Sequence, residues 1–264
     1  MFRKSEIAPL AVSILVMGLA LGFDDGRAVF ALLPWMSNLL SVSLVVAISF
    51  LLHQFAHKVL ARMNGFDTEY SLWGVQRFSL SPYVLFGKSL KAKPFPRKIK
   101  LFGKERVINV FPLGLVLSLL IMVLSQGKLF FLAVGDYTLL LRKASRFGRK
   151  FVEVTHYDEA KIALVGPLVH IVLLVFAKLF NTHGTFDMFM LANASMALFY
   201  MLPLPGLDGS KIYFGSRLLY VSSLIFMVSM VILAYTVSFI PMLLISLLSA
   251  LLAFVLYYYF RYTR

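Results

Sequence analysis

Long apolar runs recur along nearly the whole chain, and they constrain its fold more than any other feature. Six of them, at about 7–23, 35–57, 160–180, 187–205, 217–238 and 241–260, are long enough or nearly so to cross ~30 Å of hydrocarbon as helices. With 60% hydrophobic residues and a mean hydropathy of +0.84, the chain is more apolar than a soluble domain of its length. The expected fold class is therefore an all-α polytopic membrane protein. The first run is followed by others and no small-residue cleavage site stands out after it, so it reads as a span and not as a removed signal peptide.

Charge gives the orientation. Residues 58–106 hold eleven basic residues against the acids Asp67, Glu69 and Glu105, and 142–161 hold six more basic residues. Arg3 and Lys4 precede the first span, while Arg261 and Arg264 follow the last. Cytoplasmic loops are rich in Lys and Arg. Placing these segments and both termini inside leaves only Arg27 and Lys178 outside, with Lys128 ambiguous. The net charge of +14 is thus a membrane signature. Nucleic acid is not expected as a partner, because the 25 Phe lie mostly in the apolar runs and do not interleave with the basic residues.

With 58–106 and 142–161 on one side, residues 107–141 make no net crossing. "VFPLGLVLSLLIMVLSQGKLFFLAVGDYTLLL" carries Gly127 near its centre and Gly135 near its end. We read a membrane-associated re-entrant hairpin or β region between the second and third spans, packed on protein or lining a wet cavity, since unpaired backbone cannot face lipid. A pair of short, tightly packed spans would keep the same topology.

Candidate chemistry sits in two places. "LLHQFAHKVLAR", 51–62, puts His53 and His57 at i and i+4, on one helix face. Counted from Ser37, His53 lies ~24 Å into its span, inside the membrane and nearer the cytoplasmic side, where polar groups are expensive and functional by default. "MLPLPGLDGSK", 201–211, ends another span at a similar depth. Pro203 and Pro205 break the helix, Gly209 permits a tight backbone, and Asp208 can turn inward. Two His and one carboxylate leave a fourth tetrahedral position open, the arrangement of a catalytic zinc site. The absence of cysteine excludes thiolate ligands, a thiol nucleophile and disulfides. In the H-E-x-x-H pattern the glutamate is the general base. Here that position is Gln54, an amide of nearly the same shape that cannot accept a proton at neutral pH.

These residues resemble the site-2 protease family of intramembrane zinc metalloproteases. "HQFAH" and "LPLPGLDG" look like its paired metal motifs. "IALVGPLVHI", 162–171, fits its Ala-Gly-Pro-x-x-Asn segment, and "GLVLSLLIMVLSQGKLFFLAVGDYTL", 114–139, looks like the membrane-associated segment of archaeal and bacterial members. The likeness covers most of 30–215. It implies a single transmembrane protease domain over 1–264, with a core at 30–215 and a C-terminal helix pair at 217–260. It implies one Zn2+ per chain on His53, His57 and Asp208, with Gln54 in the base position. The implied substrate is a transmembrane segment of another protein, unwound into a strand. An exposed strand edge within 64–106 or 107–141 could receive it by β-addition.

The chain departs from the pattern at Gln54, at His170 in place of Asn, and at Tyr200 in place of the Asn before Leu-Pro. His170 is either a third imidazole near the metal or, as the favoured reading, an interhelical hydrogen-bonding group. Asn193 is a candidate for the same cavity. His156 and His183 read as solvated. The basic stretch 88–106 reads as a membrane-surface segment, with docking of a substrate's flank as its functional alternative. No appended PDZ-like or CBS-like domain is visible.

Three functions follow: an intramembrane protease inactivated by Glu→Gln at 54, a natural pseudoprotease that binds transmembrane segments without cutting, or a metal transporter. The last needs a polar path across the bilayer. "SVSLVVAISF" and "FMLANASMAL" supply little of one.

Overall fold

The computed structural model describes residues 2–74, 97–101, 104–108, 111–141 and 154–262. Among these residues eight helices and four strands form in the order α1 (Lys4–Gly22), α2 (Leu32–Met63), β1 (Phe66–Leu72), β2 (Arg97–Leu101), β3 (Lys104–Ile108), α3 (Leu113–Leu124), β4 (Gly135–Leu141), α4 (His156–Phe180), α5 (Asp187–Tyr200), α6 (Asp208–Gly215), α7 (Arg217–Thr236) and α8 (Phe239–Tyr262).

Five of the helices, α1, α2, α4, α7 and α8, are long and apolar enough to cross a membrane. They expose large apolar side chains such as Leu44, Ile48, Phe176, Leu248 and Leu252, as helices that face lipid do. The expected span 187–205 departs from this. Its helix, α5, has 14 residues and stops at Tyr200, because Pro203 and Pro205 cannot supply the next ladder donors. At 1.5 Å per residue α5 is ~21 Å long, too short to cross alone. Residues 201–207 continue it as non-helical chain to Asp208.

Helix α4 occupies the centre and packs against α2, α5, α6 and α7, whereas α8 leans chiefly on α7. Strands β1 and β4 pair antiparallel, with Phe66 opposite Leu141 and Leu72 opposite Gly135, and β1 packs against α1 and α2. A buried ion pair ties these elements together. Lys58 Nζ donates to Glu6 Oε1 at 2.7 Å and to the Thr68 carbonyl at 2.6 Å, and the Tyr70 N–H donates to the same Glu6 oxygen at 2.8 Å.

Of the region 107–141, residues 113–141 form a helix–turn–strand hairpin, not a pair of short spans. Helix α3 has 12 residues. Gln126 and Gly127 then turn the chain with φ of 55° and 83°, and the return runs as non-helical chain to β4. The turn does not stop halfway along its neighbours. A Cβ on Gly127 would lie 2.7 Å from Phe23 Cδ1 and 3.0 Å from Asp24 N, so the tip sits against the loop that follows α1. Of the basic stretch 88–106, strands β2 and β3 form a hairpin with Arg97 opposite Ile108, and 88–96 lie outside the described residues.

Candidate metal centre

Helix α2 presents His53 and His57 on its inward face, and the first residue of α6 presents Asp208 between them. His53 Nε2 and His57 Nε2 are 3.0 Å apart. Asp208 Oδ2 lies 3.3 Å from each. A tetrahedral ion with ligand bonds of ~2.0–2.1 Å requires ligand-to-ligand edges of ~3.3 Å. The triangle therefore has close to the dimensions that one small divalent ion needs. All three side chains are buried, and Asp208 Oδ2 has no hydrogen-bond partner. A buried carboxylate oxygen without a donor is costly, and an ion bound between the three residues would remove that cost.

Two further observations support the fit. His57 Nδ1 lies 2.8 Å from the Ile162 carbonyl. It therefore donates there, and the lone pair of Nε2 is left for a metal. Gly166, one turn further along α4, faces the same triangle. A Cβ on it would overlap His57 Nε2 and lie 2.7 Å from His53 Nε2, in the space that the ion would take.

The loop before Asp208 is held from several sides. Trp73 Nε1 donates to the Pro205 carbonyl at 2.6 Å. Gly206 adopts φ of 93°, and the Tyr220 hydroxyl donates to the Met201 carbonyl at 3.1 Å. Lys211, one turn past Asp208, donates to Asp136 Oδ1 at 2.7 Å and to the Tyr137 carbonyl at 2.6 Å. Its Nζ lies 3.5 Å from the Tyr137 ring centre, and the His57 imidazole also lies against that ring, at 4.4 Å between centroids. Strand β4 thus forms one wall of the centre.

No protein-family model, no curated protein and no solved structure matches this chain. The functional assignment therefore rests on the residues themselves.

Among the residues expected from sequence, His53, His57 and Asp208 come together as a group that could hold a metal ion. Gln54 is buried beside them on α2, and its side chain makes no hydrogen bond among the described residues. His170 and Asn193 are also buried. They form the interhelical bond, with His170 Nδ1 3.0 Å from Asn193 Oδ1, and the His170 ring lies 4.9 Å from that of His53. His170 is outside the ligand group. Tyr200 packs its ring 4.6 Å from His53. His156 and His183 are exposed. Sequence reasoning missed Gly166 as part of the cradle, and Tyr137, Trp73 and Lys211 as walls. Gly166, Tyr137 and Lys211 lie within the quoted segments, but no local pattern marks them as part of the centre.

Proposed function

We propose that the chain is an intramembrane zinc metalloprotease of the site-2 type, bound in the cell membrane with both termini cytoplasmic, and that Gln54 leaves it without its general base. The observation that carries this reading is the ligand triangle of two imidazoles and one carboxylate, beside an α2 residue in the place where a zinc protease keeps its glutamate. From Leu32, where α2 begins, to His53 is 53 − 32 = 21 residues, or ~32 Å along the helix. This favours a centre close to the inner edge of the hydrocarbon layer.

A zinc ion in such a site supplies a Lewis acid that polarises a peptide carbonyl and makes water a better nucleophile. The chain's own residues do the rest. His53, His57 and Asp208 hold the ion, while Ile162 fixes the tautomer of His57. The walls formed by Tyr137 and Tyr200 keep bulk water out. Gln54 can accept or donate a hydrogen bond to a bound peptide, but it cannot take a proton. The substrate on this reading is a transmembrane segment of another protein, presented as a strand. Strands β1 and β4 pair only with each other among the described residues, which fits strand addition at an outer edge.

The same Gln54 favours a second reading, a pseudoprotease that holds such segments without cutting them. Transport is less well supported, because the described residues contain a single group of metal-ligand type.

Metal analysis of the purified chain beside Asp208→Ala, followed by Gln54→Glu with a transmembrane substrate, separates these readings. About one zinc per chain, lost in Asp208→Ala, and cleavage raised ~10²-fold or more in Gln54→Glu are expected. Zinc without restored cleavage would favour the pseudoprotease. No metal after zinc-replete preparation would sink both.

A further inference from the structure

Two buried atoms beside the ligand triangle have unmet and opposite needs. If His53 Nε2 points its lone pair at an ion, the ring proton is on Nδ1. That Nδ1 is buried and has no hydrogen-bond partner. Ligating imidazoles nearly always donate this proton to an acceptor. His57 does so to Ile162, and His53 lacks the equivalent.

The complementary atom belongs to His170. Asn193 Nδ2 donates to the Phe189 carbonyl at 2.9 Å, so its Oδ1 is the atom that faces His170 Nδ1 at 3.0 Å. An amide oxygen only accepts. His170 Nδ1 therefore carries the proton, and Nε2 is left as a bare acceptor. It too is buried without a partner. The two rings are 4.9 Å apart between centroids and inclined by 34°. Imidazoles joined by one N–H···N bond have centres ~5 Å apart, from ~1.1 Å inside each ring plus a bond of ~2.9 Å. The centroid distance is compatible with such a bond, which needs a small turn of the rings about a torsion that is broad for histidine while His53 Nε2 keeps its place in the triangle and His170 Nδ1 keeps Asn193. The Gly166 carbonyl is a second acceptor near His53, one turn along α4 from the Ile162 carbonyl that serves His57, and it competes with His170 for the same proton.

We infer that His170 is the positioning partner of His53: its Nε2 accepts the His53 Nδ1–H, and a relay from the Phe189 carbonyl through Asn193 and His170 orients this ligand toward the metal. The inference rests on the metal reading of His53, His57 and Asp208. It also gives His170, where the resemblance expects Asn, a task of its own.

The test is zinc affinity, by chelator competition on the full-length chain in detergent, with the absorption spectrum of the cobalt(II)-loaded protein as a second readout. His170→Phe keeps a flat ring without the acceptor and is expected to weaken zinc ~10–100-fold and to shift the cobalt bands. His170→Gln restores an acceptor and should recover much of the loss. Asn193→Leu removes the tautomer lock without touching either ring. It should weaken zinc alone and add little on top of His170→Phe. Should His170→Phe not fold, Asn193→Leu and His170→Gln carry the test. Wild-type affinity and an unchanged cobalt spectrum in His170→Phe, or in Asn193→Leu if it stands in, would overturn the relay while leaving the metal site intact. A wild-type chain that takes up no zinc would instead remove the reading beneath it.

Discussion

At Gly166 one carbon atom decides whether an ion can sit between His53, His57 and Asp208. Gly166→Ala is expected to leave α4 folded, because Ala is the better helix former, and to push its methyl into the ligand triangle. Metal analysis should find zinc well below one per chain, with the far-ultraviolet helical signal retained. Full zinc occupancy would show that the triangle lies elsewhere than this geometry puts it. The residue scale also shows what was legible in the sequence and what was not. His53, His57 and Asp208 could be read because His and Asp are conspicuous in apolar helices and because i, i+4 spacing is a local property of one helix. The Ile162 carbonyl, the small volume at Gly166 and the tilted contact of Tyr137 with His57 could not. Each depends on how α4 and β4 pack against α2, and no local pattern encodes that.

At the scale of elements, the Glu6–Lys58 pair joins α1, α2 and β1, and so holds the sheet whose other strand walls the centre. Both charges are buried, and Glu6 accepts from Lys58, Tyr70 and the main chain of Arg3. Glu6→Ala would leave Lys58 buried without its counter-charge, a change that typically costs about 3–5 kcal/mol. Arg3→Ala breaks exposed pairs to Asp67 and Glu69, where the effect is about 0–1 kcal/mol. Thermal unfolding in detergent should therefore show a large drop in Tm for Glu6→Ala and a small one for Arg3→Ala. Equal shifts would mean that the pair does not anchor the sheet. Element boundaries were less legible than element existence. Hydropathy runs on through Leu202 and Leu204 and suggests a span to 205. The prolines at 203 and 205 end the helix at Tyr200, and the freed chain is what carries Asp208 inward.

At the scale of the whole molecule, the α3–β4 hairpin relates the two ends of the helical bundle. Its strand end pairs with β1, which is tied to Glu6 near the start of α1. Its tip packs on Phe23 and Asp24 beyond the end of α1. There the α1–α2 connection is closed by Trp35 Nε1 donating to the Phe23 carbonyl and Asn38 Nδ2 to the Gly22 carbonyl. Helix α1 covers ~28 Å over its 19 residues, close to the ~30 Å of a bilayer core. If α1 crosses, the tip reaches the far surface, and Lys128, ambiguous from sequence, is on the same side as Arg27. The chain contains no cysteine, so single Cys substitutions report position without background. Lys128→Cys and Arg27→Cys should react with a membrane-impermeant maleimide from one side, and Lys4→Cys from the other. Labelling of Lys128→Cys together with Lys4→Cys would mean that the hairpin and α1 do not run to the same surface, which the contact of Gly127 with Asp24 forbids. The expected pattern would make the hairpin a wall of nearly full membrane depth, with its non-helical backbone enclosed by α1 and the sheet, as an apolar surrounding demands.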